Sequence, residues 1–403
     1  MFLNNLWFEA TMSNIKSIAK PEMVSGEARR ELEHQGYRMV GEHSAVKVCG
    51  WTRNMLNNNG GCYKLKFYGI MSHQCMQMTT SISCANRCVF CWRGYKAPVN
   101  KEWIWNVDEP KIILDESLKA HHKLLVGFGG SHKVNKELLM QSHEVKHVAL
   151  SLTGEPITYP KINELIDLFH RQGVSTFLVT NAQYPEEMKN LQRVTQLYLS
   201  ADAPTKWLLK EVDKPLFKDY WERMQKCLEI LALRKERTCI RLTIIKGIND
   251  DGIKDYIKLL NIGKPDFIEI KAYMFIGQSR ERLKEENMPL HEEVVRFAQR
   301  LVVDLSDYEI VTEHVPSRVV MLAKKKFKYK DGWHTWIDFG KFHTLINSEA
   351  EFVAEDYLRK TPIVGLSGKG TKDYMNERWN KKLMERKVNT MVDERTEELS
   401  FYT

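Results

Sequence analysis

The 403-residue chain has no apolar run approaching the roughly 18 residues that a membrane span needs, so no membrane role is expected. It has no Gly-x-Gly-x-x-Gly fingerprint for a dinucleotide and no self-similar period of a repeat architecture. Its first residues, Met1-Phe2-Leu3-Asn4-Asn5-Leu6, carry no basic region followed by a long apolar core, and no export signal is expected. The 8 cysteines do not read as a secreted disulfide framework, because the chain is large and Cys49, Cys62, Cys75, Cys84, Cys88 and Cys91 crowd into one short region. Metal ligation in a reducing cytoplasm fits that distribution better. Within Ser83-Cys84-Ala85-Asn86-Arg87-Cys88-Val89-Phe90-Cys91-Trp92 no fourth Cys or His follows closely. A closed structural zinc site needs four ligands, so the missing one counts against zinc.

What is present is globular: 43% of residues are hydrophobic and 28% charged, enough for one large domain or two smaller ones. A net charge of +8 favours a polyanionic partner, a weak signal by itself. The spacing Cys84-x3-Cys88-x2-Cys91 suits a 4Fe-4S cluster with one iron left open. An open iron can be chelated by the amino and carboxylate groups of S-adenosylmethionine (SAM). A second set, Cys49, Cys62 and Cys75, is spaced at two intervals of thirteen residues. Those cysteines can converge on another cluster or be inert buried thiols, and spacing alone leaves both open.

Strand and helix signals alternate from Cys84 to Val311. Strands are expected at 145–152, 175–180, 196–200, 239–245 and 266–272, with helices at 110–125, 161–172, 186–191, 217–233, 253–262 and 292–304. Apolar strands separated by helices predict a parallel sheet, and about six units suggest a partial or full parallel barrel. A helix is also expected around 27–35. Tyr63-Lys64-Leu65-Lys66-Phe67-Tyr68 alternates like a strand. Runs 318–329 and 333–339 around Lys330-Asp331-Gly332 read as a β-hairpin. The charged residues 369–403 read as a tail, a surface helix or partly disordered. The expected division is therefore 1–45 as an N-terminal extension, 46–78 as the second-cluster segment, 79–311 as the barrel, 312–368 as a C-terminal region, and the tail.

In parallel barrels functional residues gather at the C-terminal ends of strands. That rule selects Gly154 and Glu155, Asn181, Ser200 and Asp202, Arg241 and Thr243, Glu269 and Lys271. Gly154 admits close backbone approach, Glu155 can accept from the SAM ammonium, and Ser200 and Asp202 can bind ribose hydroxyls. Each is also an ordinary strand-end or capping residue. Lys64 and Lys66 follow Cys62, and a lysine near a cluster can form a Schiff base with a carbonyl. An outward lysine is its commoner fate. The run Lys324-Lys325-Lys326-Phe327-Lys328-Tyr329-Lys330, beside Trp333, His334 and Trp336, mixes charge with aromatics as phosphate contact and base stacking require. A solvated hairpin with its aromatics in the core reads the same way. His121, His122, His132, His143 and His147 show no ligand spacing.

These stretches together resemble the tRNA 4-demethylwyosine synthases of the radical SAM superfamily. The resemblance lies in Ser83 to Arg93, Leu150-Ser151-Leu152-Thr153-Gly154-Glu155-Pro156-Ile157, Phe177 to Gln183, Thr195 to Tyr198, Arg241-Leu242-Thr243, Pro265 to Lys271, and Trp333 to Phe339. It spans about Cys49 to Leu366. It implies an α/β fold, a partial TIM barrel of the radical SAM type, with an N-terminal cluster-binding extension and a C-terminal wyosine-base-formation region. It implies condensation of N1-methylguanosine, beside the anticodon of tRNA-Phe, with two carbons of pyruvate through a 5′-deoxyadenosyl radical. Two 4Fe-4S clusters are implied, one on Cys84, Cys88 and Cys91 and one on Cys49, Cys62 and Cys75. SAM is expected on Gly154, Glu155, Asn181, Ser200, Asp202 and Arg241. Lys64, two positions after the middle cysteine of the second set, matches a Schiff-base lysine for pyruvate. Lys324, Lys325, Lys326, Lys328, Trp333 and Trp336 are the RNA-binding candidates. Longer relatives carry a flavodoxin-like domain, so this chain is expected to be the shorter archaeal form, a cytoplasmic monomer served by an external flavodoxin-type or ferredoxin-type reductant. Two other functions compete, a radical SAM enzyme on a different substrate and a non-catalytic RNA-binding metalloprotein.

Overall fold

Most strands of this chain are buried on both faces, and that requirement sets the architecture. The computed structural model describes residues 20–94, 97–348, 350–366, 368 and 371–372. The first part of the N-terminal extension and nearly all of the expected tail lie outside the described residues. Ten strands form one sheet: β1 (Tyr37–Val40), β2 (Ser44–Lys47), β3 (Cys75–Thr79), β4 (His147–Leu150), β5 (Ser175–Thr180), β6 (Gln196–Ser200), β7 (Arg237–Ile244), β8 (Phe267–Ala272), β9 (Tyr308–His314) and β10 (Val319–Lys324). Their order is β1-β2-β3-β4-β5-β6-β7-β8-β10-β9. Strands β3 to β8 are parallel, and the flanking pairings β1–β2, β2–β3, β8–β10 and β10–β9 are antiparallel. No pairing among the described residues joins β1 to β9, so the barrel is partial.

The helices are α1 (Gly26–His34), α2 (Gly50–Leu56), α3 (Tyr63–Tyr68), α4 (Pro110–Val126), α5 (Lys136–Ser142), α6 (Ile162–Arg171), α7 (Pro185–Asn190), α8 (Lys206–Asp213), α9 (Tyr220–Leu233), α10 (Ile253–Gly263), α11 (His291–Val303) and α12 (Phe339–Ile346). None among the described residues is long and apolar enough to cross a membrane. The period of 2 in each strand sorts its side chains between two cores. On β7, Ile240, Leu242 and Ile244 join the outer core with Leu228, Leu260 and Leu301 of the helices, while Cys239 points into the lumen.

The expected boundaries at 45/46, 78/79 and 311/312 fall inside β2, β3 and β9, because strand pairing joins segments that composition separates. The hairpin expectation holds only at its tip, where β11 (Lys328–Tyr329) pairs with β12 (Gly332–Trp333). Val319–Lys324 instead joins the main sheet, and β13 (Trp336–Ile337) pairs with β14 (Leu358–Arg359).

The larger correction is α3. Tyr63-Lys64-Leu65-Lys66-Phe67-Tyr68 is helical, capped by Cys62 and ended at Gly69 in the left-handed region (φ 79°), whose N–H returns to the Leu65 carbonyl at 2.9 Å. Its alternation misled because the helix lies inside the barrel and is buried nearly all round, so polarity reports no single face. Tyr63, Phe67 and Tyr68 pack there with Phe177, Tyr198, Cys239 and Phe267. The C-terminal segment closes the N-terminal end of the barrel: the Arg237 Nη2 donates to the Thr335 carbonyl at 2.7 Å and the Tyr357 hydroxyl accepts from the Arg237 N–H at 3.0 Å.

Candidate active site and metal centres

Two cysteine trios flank one strand. Cys75 begins β3 and Cys84 lies beyond its other end, with about 13 Å of strand between Cys75 and Thr79. All six cysteines are free thiols. No group of His, Cys, Asp or Glu among the described residues is arranged around one metal ion. On a four-iron cube each thiolate takes a separate iron, so the sulfurs need not meet.

The loop after β3 is held from several directions. The Cys84 sulfur receives the Asn86 N–H and the Asn181 Nδ2, each at 3.4 Å. Hydrogen bonds to cluster sulfurs tune reduction potential. Arg93 donates to the carbonyls of Ile82 and Asn86 at 3.0 Å each. Arg282 donates from Nε to the Val89 carbonyl at 3.0 Å and from Nη2 to the Cys91 carbonyl. The end of α8 accepts the N–H groups of Arg87 and Val89 at 2.9 and 2.8 Å. Arg93 closes the Cys84 motif, whereas Arg282 and Asp213 lie far from it in sequence and carry no motif of their own. Burial pushes the Cys84 thiol up to about 11, and burial with the Asp213 carboxylate pushes Cys88 well above its usual value. Thiols so costly to ionise alone are ligands when iron supplies the counter-charge.

The expected SAM residues sort into two groups. Gly154 (φ 67°) sits so close to the loop that an added Cβ would stand 1.8 Å from the Ser81 carbonyl oxygen. The Glu155 N–H donates to the Ser83 carbonyl at 2.8 Å, and its Oε2 accepts from the Asn181 N–H at 3.0 Å. Its Oε1 is buried without a hydrogen-bond partner among the described residues. Burial outweighs the Thr180 hydroxyl and Asn181 N–H and pushes the carboxyl up to about 8. An orphaned carboxylate oxygen beside the trio fits an ammonium ligand. Ser200 ends β6, and Asp202, just beyond it, accepts from the Thr243 N–H at 3.1 Å, its pKa raised to about 6 by burial. Both occupy the same C-terminal end of the barrel. Arg241 departs from this group. Its Nε donates to Glu269 Oε2 at 3.1 Å and its Nη2 to the Tyr63 hydroxyl at 2.9 Å, so its guanidinium belongs to a network inside the lumen.

The second trio surrounds α3. Cys49 caps α2, Cys62 caps α3, and all three thiols are half-buried. Burial pushes Cys62 and Cys75 up to about 12; Cys49 adds to both shifts, and the Lys64 ammonium opposes both. The thiols and the lysine therefore act on one another at short range. Because α3 is a helix, Lys64 and Lys66 diverge by about 200° instead of sharing a strand face. Lys64 enters the lumen, its Nζ 4.7 Å from the Tyr198 ring centroid and 5.8 Å from that of Phe177. Desolvation, then the Arg241 charge, holds its pKa below the usual lysine value. Lys271, also on the lumen face, is held down to about 8 by the same two causes.

Among the RNA-binding candidates, the two tryptophans need correction. Trp333 and Trp336 are buried, each 8% exposed, and cannot offer a free face to a base. Trp336 donates from Nε1 to the Lys66 carbonyl at 2.9 Å and lies against Gly69. Lys326 is paired with Asp266 and Glu355, and Lys328 with Glu309. Lys324 and Lys325 begin a turn whose N–H groups bond the carbonyls of Asp266 and Asp307. Asp266 precedes β8, so this run lies at the N-terminal end of the barrel, opposite the Cys84 loop.

Two family models match the chain: the radical SAM superfamily over residues 78–260 and wyosine base formation over 262–324. The second takes in β8 and overlaps the expected 312–368 region only at its start. The chain is 47% identical over 370 residues to the S-adenosyl-L-methionine-dependent tRNA 4-demethylwyosine synthase TYW1 of Xenopus laevis, covering 90% of this chain and 50% of that protein. It spans about half the length of the curated relatives it matches. A solved structure of TYW1 with a lysine-pyruvate adduct bound is 36% identical, with a TM-score of 0.69, covering 77% of this chain and 99% of that one. An archaeal TYW1 crystal structure is 32% identical, with a TM-score of 0.63, covering 78% and 100%. The radical SAM superfamily is defined by SAM and a 4Fe-4S cluster, and the Cys84 loop with its orphaned Glu155 oxygen fits both. The chain belongs to the TYW1 family of radical SAM tRNA 4-demethylwyosine synthases.

Proposed function

We propose that this chain converts N1-methylguanosine beside the anticodon of tRNA-Phe to 4-demethylwyosine, using SAM and two carbons of pyruvate. The observation that carries the reading is Lys64, an amine inside the barrel lumen among Cys62 and Cys75, on a chain whose other trio opens at the C-terminal mouth. One related structure bears a lysine-pyruvate adduct, and the lumen position of Lys64 supports assigning that chemistry to it here.

Cys84, Cys88 and Cys91 hold the SAM cluster in this reading, and Cys49, Cys62 and Cys75 a second 4Fe-4S cluster. A 4Fe-4S cluster held by Cys84, Cys88 and Cys91 would supply the one-electron chemistry for SAM cleavage. Glu155 would receive the SAM ammonium on its free oxygen, with Asn181 fixing that carboxylate, and Ser200 and Asp202 would hold the ribose. The Lys64 amine attacks the pyruvate carbonyl and water leaves, giving an imine that fixes the carbon fragment. Its pKa, lowered by desolvation and then by the Arg241 charge, keeps more of the amine neutral and nucleophilic than an exposed lysine would be. The aromatic walls at Phe177 and Tyr198 exclude water from that amine. Electrons come from a one-electron donor of flavodoxin or ferredoxin type, and the chain works as a cytoplasmic monomer.

Anaerobically reconstituted protein is incubated with N1-methylguanosine-containing tRNA, pyruvate, SAM and a reductant, and digested nucleosides are read by mass spectrometry. Appearance of 4-demethylwyosine is expected. SAM cleavage with an unchanged base would favour a radical SAM reaction on another substrate. Cys49→Ala is expected to lose about half the bound iron and all product while keeping SAM cleavage.

A further inference from the structure

Three cations face one carboxylate inside the lumen. They are Lys64, Arg241 and Lys271, and the carboxylate is Glu269. Glu269 is fully buried and already committed, accepting from Arg241 at 3.1 Å, from the Tyr63 hydroxyl at 3.1 Å and from the Tyr68 hydroxyl at 2.9 Å. Arg241 and Glu269 therefore form a nearly neutral pair. Lys271 has no carboxylate partner among the described residues. Its Nζ makes two long bonds, each 3.4 Å, to the carbonyls of Ala272 and Ser317. An ammonium drawn out of water with only such partners is costly to hold, and the cost falls when an anion arrives.

The register fixes where that anion would lie. Arg241 is opposite Glu269 and Thr243 is opposite Lys271, so Lys271 stands one step further along the same lumen face, about 7 Å toward the C-terminal mouth. Arg241 bonds the hydroxyl of Tyr63, the residue before Lys64, and also Glu269, two positions before Lys271 on the same strand face, so the two lysines border one chamber. In an α-keto acid the carboxylate is bonded directly to the carbonyl carbon. Once that carbon is joined to Lys64, the carboxylate needs a different cation within reach, and Lys271 is the one whose charge is uncommitted.

We infer that Lys271 binds the carboxylate of the α-keto acid whose carbonyl reacts at Lys64. The inference rests on the proposed pyruvate chemistry and adds the residue that orients it. Its test does not require turnover. Reconstituted protein is incubated with pyruvate and cyanoborohydride, which delivers hydride to the C=N bond and leaves a stable secondary amine. Peptide mass spectrometry locates and quantifies the adduct against pyruvate concentration.

In the unaltered protein the adduct is expected on Lys64. Lys271→Met is expected to raise the half-maximal pyruvate concentration about tenfold, the loss of one charge-assisted contact. Lys271→Arg should restore most of it, which a merely structural effect of the methionine would not predict. Unchanged pyruvate dependence in Lys271→Met would overturn the assignment, and if Cys49→Ala then weakened trapping, the carboxylate would lie on the second cluster instead. An adduct mapped to Lys271 would also overturn it, making this lysine the nucleophile. Absence of any adduct in the unaltered protein would remove the pyruvate reading and the assignment with it.

Discussion

Arg241 Nη2 donates to the Tyr63 hydroxyl at 2.9 Å, a bond that ties barrel strand β7 to the helix carrying Lys64. The Tyr63 hydroxyl in turn donates to Glu269 Oε2 at 3.1 Å, so strand β8 is tied as well. Tyr63→Phe keeps the ring in its packed place and deletes both bonds. A net cost of about 1–2 kcal/mol is expected from their loss inside the lumen. Thermal denaturation reads that cost, and pyruvate trapping at Lys64 reads the consequence for aim. Slower trapping at an unchanged pyruvate half-saturation is the expected pattern. Trapping at the normal rate would mean that α3 is positioned by packing alone.

Gly154→Ala tests the contact between the loop after β4 and the Cys84 loop. The added Cβ would lie 1.8 Å from the Ser81 carbonyl oxygen and 2.8 Å from the Ile82 carbonyl, at a φ of 67° that side chains disfavour. Strain of about 1–3 kcal/mol adds to displacement of backbone that cannot yield cheaply. Because Glu155 follows directly, loss of SAM binding in equilibrium dialysis is expected together with a lower melting temperature. Normal SAM affinity would detach Gly154 from the SAM site.

The order of β4 to β8 and of most helices around them was legible because those apolar strand runs are buried on both faces and those helices keep their period, whereas β1 to β3, α5 and α8 were not expected. The Cys84 trio was legible because all its ligands lie on one loop. The lumen network was not. Tyr63 lies 178 residues from Arg241 and 206 from Glu269, and nothing local announces those contacts. Arg282 reaches the Cys91 carbonyl across 191 residues for the same reason. The basic run at 324–330 failed differently. A tryptophan among lysines has the same sequence whether its ring is open or buried, and here Lys326 and Lys328 find carboxylates while the Phe327 and Trp333 rings find the core.

His121, on α4, predicts an acid-sensitive fold. Both ring nitrogens are buried without hydrogen-bond partners among the described residues, and burial, then His122 and His143, lowers its pKa to about 4. The unfolded chain binds a proton near pH 6.5 and the folded chain does not, so falling pH favours unfolding. The contribution is intact above about pH 6.5, declines on acidification and levels off below about pH 4, reaching roughly 3 kcal/mol. About 2 kcal/mol of it is already lost by pH 5. His121→Leu should therefore lose less melting temperature between pH 7 and pH 5 than the unaltered protein. Equal losses would show that this imidazole is hydrated or protonated in the fold.

Glu155 sets stability against function. Its carboxyl is raised to about 8 by burial, so the folded state without SAM prefers the protonated form. The folded pKa lies above the unfolded value, hence this side chain favours the fold most at low pH and progressively less as pH rises from about 4.5 through 8. A cation placed on the free Oε1 reverses the balance by stabilising the carboxylate. Glu155→Gln keeps an acceptor for the Asn181 N–H and removes the charge. In the absence of SAM the variant is expected to melt higher than the unaltered protein at pH 8 and above, with the difference narrowing toward pH 5. SAM affinity should fall by about tenfold or more, since a charge-assisted bond to the ammonium is lost. The two measurements must move in opposite directions. A variant that melts lower and still binds SAM normally would mean that the Glu155 charge serves the cluster loop and not the ammonium.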